Sequence, residues 1–65
     1  MNKESLGKRL AEERAKLALS QTALAQMVGI TQEHLSRIEN GRYMPRVEIV
    51  KKMADVFGCK VDDLL

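Results

Sequence analysis

Residues 21–40 read QTALAQMVGITQEHLSRIEN. Leu24, Ala25 and Val28 share one face at helical spacing. Gly29 ends that helix, because glycine takes the left-handed conformation at little cost. Ser20, just ahead, offers a hydroxyl that can accept from a free N–H of the first turn. A helix over about 21–28 follows. Thr31 can cap the next, over about 31–39, with Leu35 and Ile38 inward at a three-residue step. Asn40-Gly41 closes it with the two residues most tolerant of left-handed backbone. Ala25 stands where the second helix crosses the first, so a small side chain is needed there. Leu24, Val28, Ile30, Leu35 and Ile38 fill the space between the two.

The flanks extend the same pattern. Leu6, Leu10 and Leu17 recur at four- and seven-residue steps, which predicts a first helix over about 5–17, capped by Ser5 or Asn2. Beyond residue 40 a loop runs to Pro45, which suits a helix start. Val47, Val50, Met53, Ala54 and Phe57 then line a fourth helix, stopped by Gly58. Val61, Leu64 and Leu65 mark a short fifth helix over about 61–65. Sustained period-two alternation is missing, so a sheet is not expected. The expectation is an all-α fold, a compact five-helix domain spanning residues 1–65.

The composition narrows the chemistry. The chain has 65 residues with one cysteine, one histidine and two aromatic residues. A domain of this size buries only roughly 60% of its unfolded surface. Cys59 alone cannot form an internal disulfide. Cys59 and His34 are too few for a structural zinc site, which usually takes four such ligands. No metal and no cofactor are expected, and a reducing cytoplasmic setting is the simplest compartment. Apolar runs stay far short of the ~20 residues that span a bilayer, and no secretory signal pattern opens the chain.

Charge is uneven along the chain. Eleven Lys and Arg stand against nine Asp and Glu. Residues 34–52 hold five of the bases (Arg37, Arg42, Arg46, Lys51 and Lys52) and only two acids (Glu39 and Glu48), whereas residues 53–65 hold one base and three acids. A basic middle beside an acidic end points to an anionic partner for the middle, or to an ordinary solvated surface.

Two short helices joined by a glycine-containing turn make a helix-turn-helix candidate, the bland alternative being an ordinary αα-hairpin. The chain resembles the Xre/Cro-type family of phage and bacterial repressors. The similarity lies in Leu-Gly-Lys-Arg-Leu (6–10), Leu-Ser-Gln (19–21), Leu-Ala (24–25), Gly-Ile-Thr-Gln (29–32), Leu-Ser-Arg-Ile-Glu-Asn-Gly-Arg (35–42) and Pro45. It implies a lambda-repressor-like DNA-binding domain whose helix-turn-helix spans about 21–40, acting as a homodimeric transcriptional regulator on duplex DNA. Two positions depart from the family pattern: Ala18 stands where glycine often ends helix 1, and Glu13 where an apolar residue is common. A left-handed Ala18 would cost about 1–2 kcal/mol.

In such motifs the second helix enters the major groove and its first residues meet base edges. The outward face of helix 3 carries Gln32, Glu33, Ser36 and Arg37. Arg37 can grip guanine O6 and N7, Gln32 can pair with adenine N6 and N7, and Glu33 can accept from cytosine N4. Glu33 also complements the helix dipole. Ser20 and Gln21 open helix 2, where free N–H groups favour phosphate, and the resemblance implies a phosphate contact at Gln21. His34, Asn40, Arg42, Tyr43 and Arg46 are the other candidate backbone contacts. The resemblance further implies an ion pair between Arg14 and Glu39.

Other classes fit less well. Catalysis would need a nucleophile with a base, paired carboxylates or a phosphate loop; Asp62 and Asp63 are adjacent and point different ways, reading as a capping and solvated pair. Single-strand binders stack bases on aromatic platforms, and this chain offers only Tyr43 and Phe57. A protein-interaction module is the stronger alternative. Val56, Phe57, Val61, Leu64 and Leu65 form an apolar C-terminal patch that would serve a homodimer, a toxin partner of an antitoxin, or a second domain beyond residue 65.

Overall fold

The computed structural model describes residues 2–65. Its elements run in order as α1 (Lys3–Lys16), α2 (Gln21–Val28), α3 (Gln32–Glu39), α4 (Val47–Phe57) and α5 (Val61–Leu64), with no strand among the described residues. Each boundary has a local cause. Asn2 caps α1, its Oδ1 accepting from Ser5 N at 2.7 Å, so that helix starts two residues earlier than the leucine spacing predicts. Ser20 Oγ accepts from Ala23 N at 3.0 Å and Thr31 Oγ1 from His34 N at 3.1 Å. Gly29 and Gly58 end α2 and α4 in the left-handed region. Of the pair after α3, Gly41 takes the positive φ. Pro45 is buried two residues ahead of α4 and does not open it, and Arg46 holds the N-cap position without a side-chain bond. Asp63 Oδ2 accepts from Lys60 N at 3.0 Å and starts α5.

Helix α3 packs against both α1 and α2, while α4 crosses α2 and α5 closes against α1 and α4. The shared core comprises Leu6, Leu10, Leu24, Ala25, Val28, Leu35, Ile38, Val50, Met53, Ala54 and Leu64. The approach of α1 to α3 is close enough to involve backbone. A Cβ on Gly7 would collide with the carbonyl oxygen of Ile38 and lie 2.9 Å from that of Glu39.

Three expectations are corrected. Leu17 is exposed, because α1 has ended by then and Arg14 holds the inner face one turn earlier. Val47 is exposed at the first turn of α4. The C-terminal patch is smaller than the sequence suggests. Leu64 is 3% exposed and belongs to the core, since α5 folds back across α1 and α4. Val56, Phe57 and Val61 are half-buried against that core, leaving Leu65 as the one exposed member of the five.

Ala18 adopts φ 56°, the one non-glycine residue at positive φ among the described residues. Its Cβ raises the energy of that conformation by about 1–2 kcal/mol. Glycine would relieve this but gain unfolded-state entropy worth about 0.4–1 kcal/mol. Ala18→Gly should therefore stabilise the fold by about 0.5–1 kcal/mol, read as a higher urea midpoint at unchanged slope. A lower midpoint would show that the strain at Ala18 is smaller than the unfolded-state entropy that glycine adds.

Candidate nucleic-acid interface

Leu35 and Ile38 turn α3 inward, so its opposite face is set toward solvent. Gln32, Glu33 and Arg37 are exposed there, and Ser36 is half-buried. These four, with Asn40 and Arg42 from the end of the helix, line one open concave surface. Asn40 Nδ2 donates to Ser36 Oγ at 3.4 Å. Tyr43 stands edge-on to His34 with ring centroids 4.9 Å apart, and the two flank a second hollow with Arg46, Ile30 and Ile49. Ser20 lies at the N-terminus of α2 with its hydroxyl oxygen engaged in the cap.

Three cations on this side stand outside any ion pair, although Glu33 shares the surface. Among the described residues, ion pairs join Arg9 and Lys16 to Glu13, and Arg14 to Glu39. Arg37, Arg42 and Arg46 have no such partner, which leaves three guanidinium groups available to phosphate or base edges. Glu13, at the position where the family often has an apolar residue, is held below the usual carboxylate range first by the hydrogen bond from Lys16.

Behind the exposed face lies a polar network. Arg14 Nε and Nη2 donate to Glu39 Oε2 and Oε1 at 2.8 and 3.0 Å, and Arg14 Nη1 donates to the Leu19 carbonyl at 2.8 Å. The Glu39 carboxylate raises the Arg14 pKa against the desolvation of the guanidinium. Gln21 Nε2 donates to Glu39 Oε1 at 2.9 Å, and Gln21 Oε1 accepts from Gln32 Nε2 at 2.7 Å. The bonds between Gln21, Gln32 and Glu39 carry no periodic signal in the sequence; only the helix-turn-helix crossing brings the three side chains together.

Residues outside this region offer little chemistry. No group of three or more His, Cys, Asp or Glu able to hold a metal occurs among the described residues. Cys59 is half-buried and packs on the core, and burial pushes its thiol pKa up, away from a reactive thiolate. No described helix is long and apolar enough to cross a membrane.

A capped helix carrying polar and charged groups on its outer face, braced by a second helix through a glycine turn, defines a helix-turn-helix DNA-binding domain. The chain belongs to the Xre/Cro-type helix-turn-helix family of transcriptional regulators: the family's sequence profile, described as Helix-turn-helix, matches residues 10–64. An uncharacterized HTH-type transcriptional regulator of Archaeoglobus fulgidus is 38% identical over 56 residues, covering 86% of this chain and 79% of that protein. The P22 c2 repressor, solved in complex with the synthetic operator 9T, superposes with a TM-score of 0.86 at 32% identity, covering 92% of this chain and 91% of the other. The restriction-modification controller protein C.AhdI of Aeromonas hydrophila gives a TM-score of 0.90 at 25% identity over 97% and 96% of the two chains.

Proposed function

We propose that this DNA-binding regulator is a cytoplasmic, non-enzymatic repressor that reads an inverted repeat as a homodimer, with one α3 in the major groove of each half-site. The observation that carries the reading is the outer face of α3, where Gln32, Glu33, Ser36 and Arg37 share one open surface with Asn40 and Arg42. The operator-bound P22 c2 repressor supports the duplex as partner. Arg37, without a carboxylate to neutralise it, is suited to guanine; Gln32 to adenine; Glu33 to cytosine. Ser20, Gln21, His34, Asn40, Arg42, Tyr43 and Arg46 contact the phosphates on either side. Two-fold symmetry then sets half-site centres about one helical turn apart, roughly 10 base pairs. Leu65 and the outer edges of Val56, Phe57 and Val61 are the surface through which two copies associate.

Selection of bound sequences from a random duplex pool tests the whole reading. A palindromic enriched motif is expected; no enrichment would move the function to protein interaction. Arg37→Ala should weaken binding to the selected site by about 1–3 kcal/mol and relax preference at one base pair. An equal loss on every duplex would remove Arg37 from base reading.

A further inference from the structure

The chain of side chains from Arg14 to Gln32 has a direction, and the direction reaches the DNA-facing surface. A carboxylate only accepts hydrogen bonds, whereas a glutamine amide donates from one end and accepts at the other. Glu39 is gripped at both oxygens by Arg14, which is itself tied to the Leu19 carbonyl. Its side chain is 5% exposed. Whatever meets Glu39 Oε1 must donate, so Gln21 turns its Nε2 toward it. The Gln21 Oε1 then faces the other way and demands a donor, and Gln32 supplies its Nε2.

We propose that Glu39 is a positioning residue for base specificity: through Gln21 it fixes which end of the Gln32 amide faces the DNA. The proposal rests on Gln32 reading a base. With one N–H of Gln32 committed to Gln21, its outer edge presents one N–H beside Oε1. That pair matches adenine, whose N7 accepts and whose N6 amino group donates. Guanine presents two acceptors, N7 and O6, and would place O6 against Oε1. An unanchored Gln32 could turn both N–H groups toward guanine. Anchoring therefore separates adenine from guanine, a distinction that contact by Gln32 alone does not secure.

The test uses two duplexes that differ by adenine or guanine at one position of the selected site. That position is the one where Gln32→Ala loses preference in the random-pool selection. Glu39→Gln keeps the side chain's shape but lets position 39 donate or accept, so Gln21 is free to reverse. The adenine-over-guanine affinity ratio should fall about tenfold. Affinity for an unrelated duplex should stay within about twofold, with the helical circular dichroism of the free protein retained. Gln21→Met leaves the Arg14–Glu39 pair in place and should lower the ratio equally, which keeps the test open if Glu39→Gln does not fold. The double variant Glu39→Gln/Gln21→Glu supplies a donor at 39 and an acceptor at 21, and should restore the ratio. A purely structural role for Glu39 has no reason to produce that rescue.

A wild-type ratio in folded Glu39→Gln, or in Gln21→Met, would overturn the positioning role while leaving base reading by Gln32 intact. If Gln32→Ala left the selected motif unchanged, base reading by Gln32 would fall and the positioning role with it.

Discussion

Arg14→Met should lower the unfolding free energy by about 3–5 kcal/mol, the usual cost of removing one partner from a buried ion pair. Methionine replaces much of the arginine's stem volume, so the loss is mainly electrostatic. It would leave the nearly buried Glu39 carboxylate with Gln21 as its remaining side-chain donor, and the Leu19 carbonyl without the guanidinium. A domain of this length holds only about 3–10 kcal/mol in total. The variant should therefore be substantially unfolded in mild urea and populate unfolded chains even without it. Equilibrium urea denaturation measures this directly, and a midpoint matching wild type would mean the pair is energetically neutral. Arg14→Met/Glu39→Leu should recover much of the loss, because replacing both members removes the stranded charge.

Gly7→Ala is the second large effect, and it acts through sterics alone. In an open helix this change would stabilise by roughly 0.5–1 kcal/mol. Here the added methyl would meet the carbonyl oxygens of Ile38 and Glu39, which belong to backbone and cannot swing aside. Helix α1 must move off α3, disturbing the seats of Leu6 and Leu10 and the geometry between Arg14 and Glu39. Overpacking typically costs 1–3 kcal/mol and exceeds that where backbone must shift, so a loss of about 3 kcal/mol or more is expected. Thermal and urea unfolding would show it; a more stable Gly7→Ala protein would contradict the close approach of the two helices.

The sequence made the helices legible because their boundaries are local chemistry. Ser20, Thr31, Gly29 and Gly58 act on backbone groups within one turn of themselves, so their roles needed no knowledge of the rest of the chain. The outer face of α3 was legible for a related reason: once Leu35 and Ile38 point inward, helical geometry places the others. What depended on distant elements was read less well. Leu17 fits the leucine period, yet whether it is buried depends on where α1 stops. Leu64 reads as spare apolar surface in the sequence, because its burial depends on α5 lying back over α1 and α4. The Arg14–Glu39 pairing came from family resemblance and not from spacing, since 25 residues separate the two. Gly7 did leave a signal, because a glycine inside a helical pattern asks for a packing reason; its partner in α3 could not be named from that alone.

The edge-on pair of His34 and Tyr43 gives the protein a built-in optical label. The chain contains one tyrosine and no tryptophan. Its near-ultraviolet emission and dichroism therefore come almost wholly from one phenol ring, in contact with the imidazole of α3 and beside Arg46. Any event that shifts α3 against the loop after it, or seats a polyanion over Arg46, alters the surroundings of that ring. The wild-type protein can thus report occupancy of its own proposed interface without a dye, a tag or a substituted residue.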